Sequence, residues 1–231
     1  MKILGIIPAR GGSKGIPGKN ILEFDGKPLI AYAIECGQNS TLLSELIVST
    51  EDDTIEAVSL EYNCTVIKRP EKFASDTSNV VETVLDTIQK FEAKNIFFDA
   101  VLLLQPTAPL RTGKDIDNAI KLLQSKETDA VVSMVPVGDK HPARMYRLED
   151  GKAICEMPEF ETTRRQELPE RFIRNGCIYL VKTDILKEKK TFMPESKSVY
   201  LMDPEWAVNI DTEMDVIILN ALIGKWNRLN P

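Results

Sequence analysis

The chain has 231 residues, of which 43% are hydrophobic and 28% charged, and its formal net charge is −6. This composition fits a globular protein, and the acidic balance argues against a nucleic-acid or anionic-membrane partner. No apolar run approaches the ~20 residues of a membrane span, and the first residues enter a predicted strand without a visible signal peptide. Cys36, Cys64, Cys155 and Cys177 are widely spaced, so we expect free thiols in a reducing cytoplasm rather than zinc ligands.

Predicted strands and helices alternate along most of the chain. Strands are predicted at 3–7, 46–49, 64–67, 100–104, 130–135, 177–181, 199–201 and 207–211, and helices at 28–38, 53–62, 79–91, 113–126 and 212–226. This alternation predicts an α/β fold with a Rossmann-like, mostly parallel sheet flanked by helices, whose ligands bind beyond the carboxyl ends of the strands. Residues 138–170 interrupt the alternation of strands and helices. We interpret them as an excursion from a single domain that spans 1–231.

The most informative stretch is 8–20, which follows the first predicted strand and contains four glycines, two lysines and an arginine. Glycines let backbone N–H groups approach a ligand closely, and basic side chains add charge around such an anion site. We therefore expect a di- or triphosphate here. The spacing excludes a P-loop, because Ser13 stands where the first glycine should be and Asn20 where the hydroxyl should be. The alternative is a solvated surface loop.

The sequence from Pro8 to Asn20 resembles the signature of the acylneuraminate cytidylyltransferases, also called CMP-sialic acid synthetases, with the CMP-legionaminate and CMP-pseudaminate synthetases among them. Further similarity lies at 105–111, 164–166, 175–179 and 209–215, so the resemblance covers essentially the whole chain. It implies a nucleotidyltransferase that joins CMP from CTP to a nine-carbon keto sugar acid of the sialic acid type and releases pyrophosphate. The residues it implies for nucleotide binding are Ala9, Arg10, Gly11, Gly12, Ser13, Lys14, Lys19, Asn20 and Arg69.

Lys19, Arg10 and Asp211 are the candidate catalytic residues, and Mg²⁺ is the expected cofactor. Asp211 lies where a predicted apolar strand gives way to a helix, and Mg²⁺ is normally held by one or two carboxylates with phosphate oxygens and waters. The alternative for Asp211 is a helix cap. The family pattern implies a second aspartate two residues earlier, where this chain has Asn209, a weaker ligand. Asn209 and Asp211 together are the candidate metal ligands. Because an asparagine replaces the second aspartate of the family pattern, the sequence leaves open whether one or two metal ions bind.

The resemblance places the sugar acid at the loop after the central strand and at a later strand. Gln105 can hydrogen-bond a hydroxyl or an amide, and Arg111 can pair with a carboxylate or phosphate. The implied sugar-binding residues are Gln105, Thr107, Arg111, Asn175 and Tyr179. The residues alone leave open a surface ion pair for Arg111 and an ordinary strand aromatic for Tyr179.

The excursion is implied to be a dimerisation element. Its Arg165 would then contact the sugar in the partner's site of a homodimer, with a solvated charge pair Arg164–Arg165 as the alternative. His141 is the one histidine of the chain and lies in the same segment. The chain has no Gly-x-Ser-x-Gly nucleophile elbow with which a catalytic histidine could act. Two other functions stay open, namely CMP transfer to an eight-carbon sugar acid and a catalytically silent nucleotide-binding regulator.

Overall fold

The computed structural model describes residues 1–12, 15–74 and 79–230. Its strands are β1 (Ile3–Pro8), β2 (Glu23–Phe24), β3 (Lys27–Pro28), β4 (Glu45–Thr50), β5 (Thr65–Lys68), β6 (Ala100–Leu103), β7 (Ala130–Pro136), β8 (Tyr146–Glu149), β9 (Lys152–Cys155), β10 (Phe172–Lys182) and β11 (Lys197–Leu201). Its α-helices are α1 (Leu29–Gln38), α2 (Asp53–Glu61), α3 (Val80–Glu92), α4 (Gly113–Ser125), α5 (Thr183–Lys189) and α6 (Glu213–Leu229). Ser13 and Lys14, two of the implied nucleotide-binding residues, lie outside the described residues. The segment 75–78, which also matches the nucleotide side of the family pattern, lies outside them as well.

A seven-stranded sheet forms the centre of the molecule, in the order β11-β7-β10-β6-β1-β4-β5. Every neighbouring pair is parallel except those of β10, which runs antiparallel to both β6 and β7. The predicted mostly parallel, Rossmann-like sheet is therefore confirmed. Because β10 is reversed, its first half lies at the edge where the parallel strands end.

Helices cover both faces of the sheet, which explains why β1 and β6 are continuous apolar runs. One face packs against α1, α2 and α4, through side chains such as Ile34, Ile55 and Ile120. The other face packs against α3 and α5, for example through Val84 and Leu186. In the described part of the chain, no helix is both long enough and apolar enough to cross a membrane.

The short strands β2 and β3 were not predicted, and three longer elements also differ from the prediction. Residues 207–211 do not form a strand. Their Ile210 N–H donates to the Thr107 carbonyl, which lies in the loop after β6 and not in a neighbouring strand. β10 begins five residues before the predicted 177, because its exposed start pairs with the end of β7. Helix α5 was not predicted, because seven largely polar residues are too short to show an apolar period.

The excursion contains a two-stranded hairpin, β8–β9, joined through Asp150 and Gly151. Both turn residues have positive φ, 50° and 77°, which is the backbone that Asp-Gly favours in two-residue hairpin loops. β8 is exposed along its whole length. The hairpin therefore projects from the sheet edge instead of adding to it.

Candidate active site

The loop after β1 rests on the corner between β4 and α2. Ala9 continues the strand pairing by donating its N–H to the Ser49 carbonyl. The Gly11 N–H donates to Glu51 Oε1 at 2.8 Å. A Cβ on Gly11 would lie 2.2 Å from Asp52 Oδ2, so only glycine fits at this contact. The Gly11 N–H is therefore used inside the protein, whereas Gly12 has open space around it.

Two further contacts fix the same loop. The buried Asn20 donates its Nδ2 to the Arg10 carbonyl at 3.0 Å, so its amide shapes the loop from within. A Cβ on Gly15 would lie 2.7 Å from the Asp211 carbonyl oxygen. The glycine thus lets the loop approach the 207–211 segment, and it brings the predicted nucleotide and metal residues together.

Lys19, Asp211 and Asn209 form one polar cluster. Lys19 Nζ donates to the Ile210 carbonyl at 2.6 Å and to Asp211 Oδ1 at 3.0 Å, while Asn209 Nδ2 donates to Asp211 Oδ2 at 2.8 Å. The Lys19 side chain is 13% exposed and that of Asp211 is 62% exposed. Both carboxylate oxygens are therefore oriented by donors while the group still faces solvent.

Asp211 does not cap α6. That position belongs to Thr212, which forms a capping box with Asp215, so the cap alternative for Asp211 is wrong. Burial alone would raise the pKa of the Asp215 carboxyl, but N–H donors at Asp211 and Thr212 outweigh it and lower that pKa below its usual value. Asp215 thus serves the helix start, and Asp211 keeps its carboxylate available for another role.

The donor set around Asp211 decides what kind of metal fits. Among the described residues, no group of three or more acidic, histidine or cysteine side chains could hold a metal ion. Asp211 supplies one carboxylate and Asn209 one amide. Mg²⁺ commonly takes one or two carboxylates and draws its other ligands from phosphates and waters. The residues therefore fit an Mg²⁺ that arrives with a triphosphate.

A cleft of about 570 Å³ opens beside this cluster, at the start of β10. We call it the β10 cleft, and its polar or charged lining residues are Gln105, Asp139, Lys140, Arg174, Asn175, Tyr179 and Asn209. Asn209 belongs to both the cleft and the Asp211 cluster. The cleft and the predicted phosphate site are therefore contiguous.

Gly176 allows the side chains of this cleft to converge. Its φ is +80°, and a Cβ there would lie 3.3 Å from Gln105 Oε1 and 3.8 Å from Asn209 Oδ1. The pairing of β10 with β7 is irregular between Arg174 and Tyr179, which makes room for this turn. Strand irregularities of this kind often re-aim side chains at functional sites.

The side chain of Asn175 holds the irregular part of β10 in place. Its Oδ1 accepts from the Ser133 hydroxyl at 2.5 Å, and its Nδ2 lies 3.2 Å from Met202 Sδ. Ser133 in turn accepts the Ile178 N–H. Both ends of the Asn175 amide therefore have partners within the protein, and its contribution to the cleft is mainly to fix the backbone.

Tyr179 and Arg174 both line the β10 cleft. Burial raises the pKa of the Tyr179 phenol, and the nearby Arg174 charge opposes this only in part. The phenol is therefore neutral at physiological pH. Arg174 and Lys140 bring positive charge to the same cleft, which suits an acidic ligand.

Arg111 does not line the β10 cleft. It is 2% exposed, and its Nη1 donates to the carbonyls of Gln105 and Ala108 at 2.9 and 2.6 Å. This geometry holds the loop that presents Gln105, and the burial of Arg111 rules out the surface ion pair. The Thr107 carbonyl accepts the Ile210 N–H, which ties the same loop to the 207–211 segment.

Arg165 and His141 also lie outside the β10 cleft. Arg165 pairs with Asp139 at 2.8 Å and lines a smaller cleft of about 180 Å³ with His141. The buried His141 accepts the Ala143 N–H at Nδ1, so its Nε2 carries the proton and donates to the Pro169 carbonyl at 2.9 Å. His141 therefore joins the two ends of the excursion, and Arg165 itself is not among the residues that line the β10 cleft.

Two residues of the site were missed by sequence reasoning. Glu51 follows β4 at the carboxyl edge, where the same argument that selected Gln105 could have found it. Arg174 lies in the exposed start of β10, before the continuous apolar run at 177–181 from which the strand was predicted.

Comparisons with known proteins identify the family of the chain. A family model described as cytidylyltransferase matches residues 4–203. The chain is 36% identical over 227 residues to CMP-N,N'-diacetyllegionaminic acid synthase of Legionella pneumophila, which covers 96% of this chain and 97% of that relative. It is 32% identical over 220 residues to N-acylneuraminate cytidylyltransferase of Streptococcus agalactiae, covering 94% of this chain and about half, 52%, of that relative.

The fold is shared with more distant solved structures. One is the CMP:2-keto-3-deoxy-manno-octonic acid synthetase complexed with CTP, with a TM-score of 0.73 at 18% identity over 97% of this chain and 99% of that one. This likeness concerns the fold alone. The family match over most of the sequence, together with the two relatives above 30% identity, shows that the chain belongs to the cytidylyltransferase family.

Proposed function

We propose that this cytidylyltransferase transfers CMP from CTP to a nine-carbon keto sugar acid of the sialic acid type, giving the CMP-sugar and pyrophosphate. The observation that carries the proposal is the position of Asn209, which contacts Asp211 of the phosphate side and lines the β10 cleft. A nucleotide held by the loop after β1 and an acid held in the cleft would therefore meet at this residue. The relatives named for legionaminic, N-acylneuraminic and pseudaminic acid support the substrate class.

The reaction is an in-line displacement. The anomeric hydroxyl of the sugar attacks the α-phosphorus of CTP and gives up its proton to water. Its oxygen forms the new P–O bond, and pyrophosphate leaves with the electrons of the broken bond. Such a transfer depends mainly on positioning and on stabilising charge at the phosphates. Lys19 and Arg10 would supply fixed positive charge there.

We also propose Mg²⁺ as the cofactor. Asp211, with Asn209 beside it, would hold the ion together with the phosphates of CTP. When bound, it would neutralise phosphate charge. Lys19 is oriented by the same carboxylate, so its ammonium would add positive charge beside the phosphates that Asp211 would help to hold.

The β10 cleft has the chemistry for the acid. Lys140 and Arg174 can pair with a carboxylate, and Gln105 can hydrogen-bond a hydroxyl or an acyl amide. Gly176 leaves space between Gln105 and Asn209 for the sugar ring. Acyl groups distinguish one nonulosonic acid from another through the shape of this cleft.

We further propose that the protein is a cytoplasmic homodimer formed through the excursion at 138–170 of the single domain. Exposed apolar side chains gather there and on the adjoining start of β10, namely Met145, Tyr146, Leu148, Phe172 and Ile173. Patches of this kind mark protein–protein contacts. Arg165, which does not line the β10 cleft of its own subunit, would then contact the sugar in the partner's. The free, buried cysteines support a reducing compartment.

Pyrophosphate release tests the proposal. Purified protein with CTP and Mg²⁺ is incubated with N-acetylneuraminate, N,N'-diacetyllegionaminate, pseudaminate and 2-keto-3-deoxy-manno-octonate, each with and without protein. We expect turnover with at least one nine-carbon acid and little with the eight-carbon acid. Preference for the eight-carbon acid would favour the first alternative, and CTP binding without turnover on any acid would favour the regulator.

A further inference from the structure

Glu51 joins two segments of the nucleotide side. It follows β4 directly, and β4 lies between β1 and β5. Its Oε1 accepts from the Gly11 N–H at 2.8 Å, and its Oε2 accepts from Arg69 Nε at 2.7 Å. One carboxylate therefore connects the loop after β1 with the loop after β5.

The start of α2 does not need this carboxylate. Asp52 is the N-cap and accepts the Ile55 N–H at 2.9 Å. Asp52 is also the residue against which Gly11 packs. Asp52 thus caps the helix and packs against the loop. The contact specific to Glu51 is the bridge between Gly11 and Arg69.

Arg69 takes its orientation from the bridge. Its side chain is 5% exposed and that of Glu51 is 18% exposed, so the pair is largely removed from water. Arg69 Nη2 is buried and has no hydrogen-bond partner among the residues the structure describes. Leaving a buried charged donor unpaired is unfavourable, so this nitrogen is suited to an acceptor supplied by a ligand.

The charges of the pair are also balanced. An unpaired carboxylate next to a phosphate loop would repel a triphosphate. The guanidinium of Arg69 neutralises Glu51 at hydrogen-bond distance, and the carboxylate orients the guanidinium in return. The pair can therefore lie near a polyanion without weakening its binding.

We propose that Glu51 is a positioning residue for the nucleotide, fixing the loop after β1 and Arg69 at the spacing that CTP requires. The inference rests on the proposed function only for the identity of the nucleotide. Glu51 acts through Gly11 and Arg69. Its loss should therefore weaken CTP binding and leave the binding of the sugar acid, at the other end of the site, nearly unchanged.

The test measures CTP affinity directly and in turnover. Variants Glu51→Gln and Glu51→Asp are compared with Glu61→Gln, which removes the same charge at an exposed position at the end of α2. Calorimetry gives the CTP Kd without sugar, and steady-state kinetics give KM for each substrate and kcat. Glu51→Gln keeps the shape but loses the charge, whereas Glu51→Asp keeps the charge but is too short to hold both partners.

We expect Glu51→Gln to raise the CTP Kd and KM by about 10- to 100-fold, the effect of losing a charge-assisted hydrogen bond. The KM for sugar should stay within about 2-fold, Glu51→Asp should lose less, and Glu61→Gln should match wild type. In Glu51→Gln/Arg69→Gln, the total loss should be smaller than the product of the single losses, because Arg69 acts with Glu51.

An unchanged CTP Kd in folded Glu51→Gln would overturn the proposal, and so would equal increases in both KM values. If Glu51→Gln does not fold, the same comparison is made with Glu51→Asp. The calorimetric arm needs no turnover. If no sugar acid releases pyrophosphate with wild type, the proposed function fails while CTP affinity still decides the role of Glu51.

Discussion

The substitution Asn209→Asp examines the metal cluster most directly. In the structure, Asn209 Nδ2 donates to Asp211 Oδ2 at 2.8 Å. A carboxylate in its place would replace an attractive contact with two negative groups roughly 3 Å apart. Unit charges at such a distance repel by on the order of 1 kcal/mol in water and several-fold more near a protein surface.

The solvent exposure of Asp211 sets the magnitude of this repulsion. Its side chain is 62% exposed and Lys19 offsets part of the charge, so the repulsion should be near the value in water. Adding the lost hydrogen bond, worth about 1 kcal/mol, gives a loss of about 2 kcal/mol in the free energy of unfolding. For a chain of this size, that corresponds to a fall of about 4–8 °C in Tm.

Mg²⁺ should reverse this loss, because it binds the carboxylate pair of the folded variant more strongly than that of the unfolded chain. Thermal unfolding is measured without nucleotide at zero and at 10 mM Mg²⁺, a concentration about ten times an assumed Kd. At that concentration the ion should restore about 1.4 kcal/mol of the free energy of unfolding. In turnover, the Mg²⁺ concentration for half-maximal rate should fall several-fold. Asn220→Asp, at an exposed position of α6, is the charge-matched control and should show neither effect.

The reasoning would be refuted by a variant whose Tm does not respond to Mg²⁺ and whose metal requirement in turnover equals that of wild type. Asp211→Asn serves as the complement, since it removes the carboxylate and should lose most activity while staying folded. Full activity in Asp211→Asn would place the metal elsewhere in the molecule.

Three other predictions concern separate parts of the molecule. Lys19→Ala should lower kcat by roughly 100-fold or more, as for loss of one preorganised donor, with a near-normal Tm; near-normal turnover would remove Lys19 from the mechanism. Mixing Arg165→Ala with Lys19→Ala subunits should restore activity through one intact site per heterodimer, and no recovery after verified subunit exchange would contradict a role in trans. Burial alone would raise the pKa of Asp117, but hydrogen bonds from Ser40, Thr41 and Leu42 outweigh it and lower that pKa. Asp117→Asn should therefore destabilise the protein by about 1–3 kcal/mol above pH 5. As the pH falls through the native pKa, wild type loses this stabilisation, so the Tm difference should narrow; a constant difference would contradict the assignment.

The parts of the fold that sequence predicted are those with a strong local signal. The apolar run at 100–104 indicated a central strand, and β6 occupies that place beside β1. The helices predicted at 53–62 and 79–91 correspond to α2 and α3, whose N-caps are Asp52 and Asn79. These predictions succeed because burial and capping act over a few neighbouring residues.

The misses depend on partners far along the chain. Arg111 looks like a surface cation, yet its guanidinium bonds two backbone carbonyls, which no residue type reveals. Glu51 gains its role from Gly11 and Arg69, 40 and 18 positions away. The direction of β10 was equally invisible, because an apolar run does not state which way its strand runs.

The antiparallel pairing of β7 and β10 has a consequence for how this fold can diversify. Phe172 pairs with Pro136, so everything between them leaves and re-enters the sheet at one point. A segment closed in this way can be lengthened or replaced at a cost that grows only with the logarithm of its length. The same junction forms one wall of the β10 cleft, while the loops after β1, β4 and β5 form the proposed nucleotide side. A lineage could therefore replace the segment that carries the proposed acceptor and subunit contacts and keep the proposed nucleotide side unchanged.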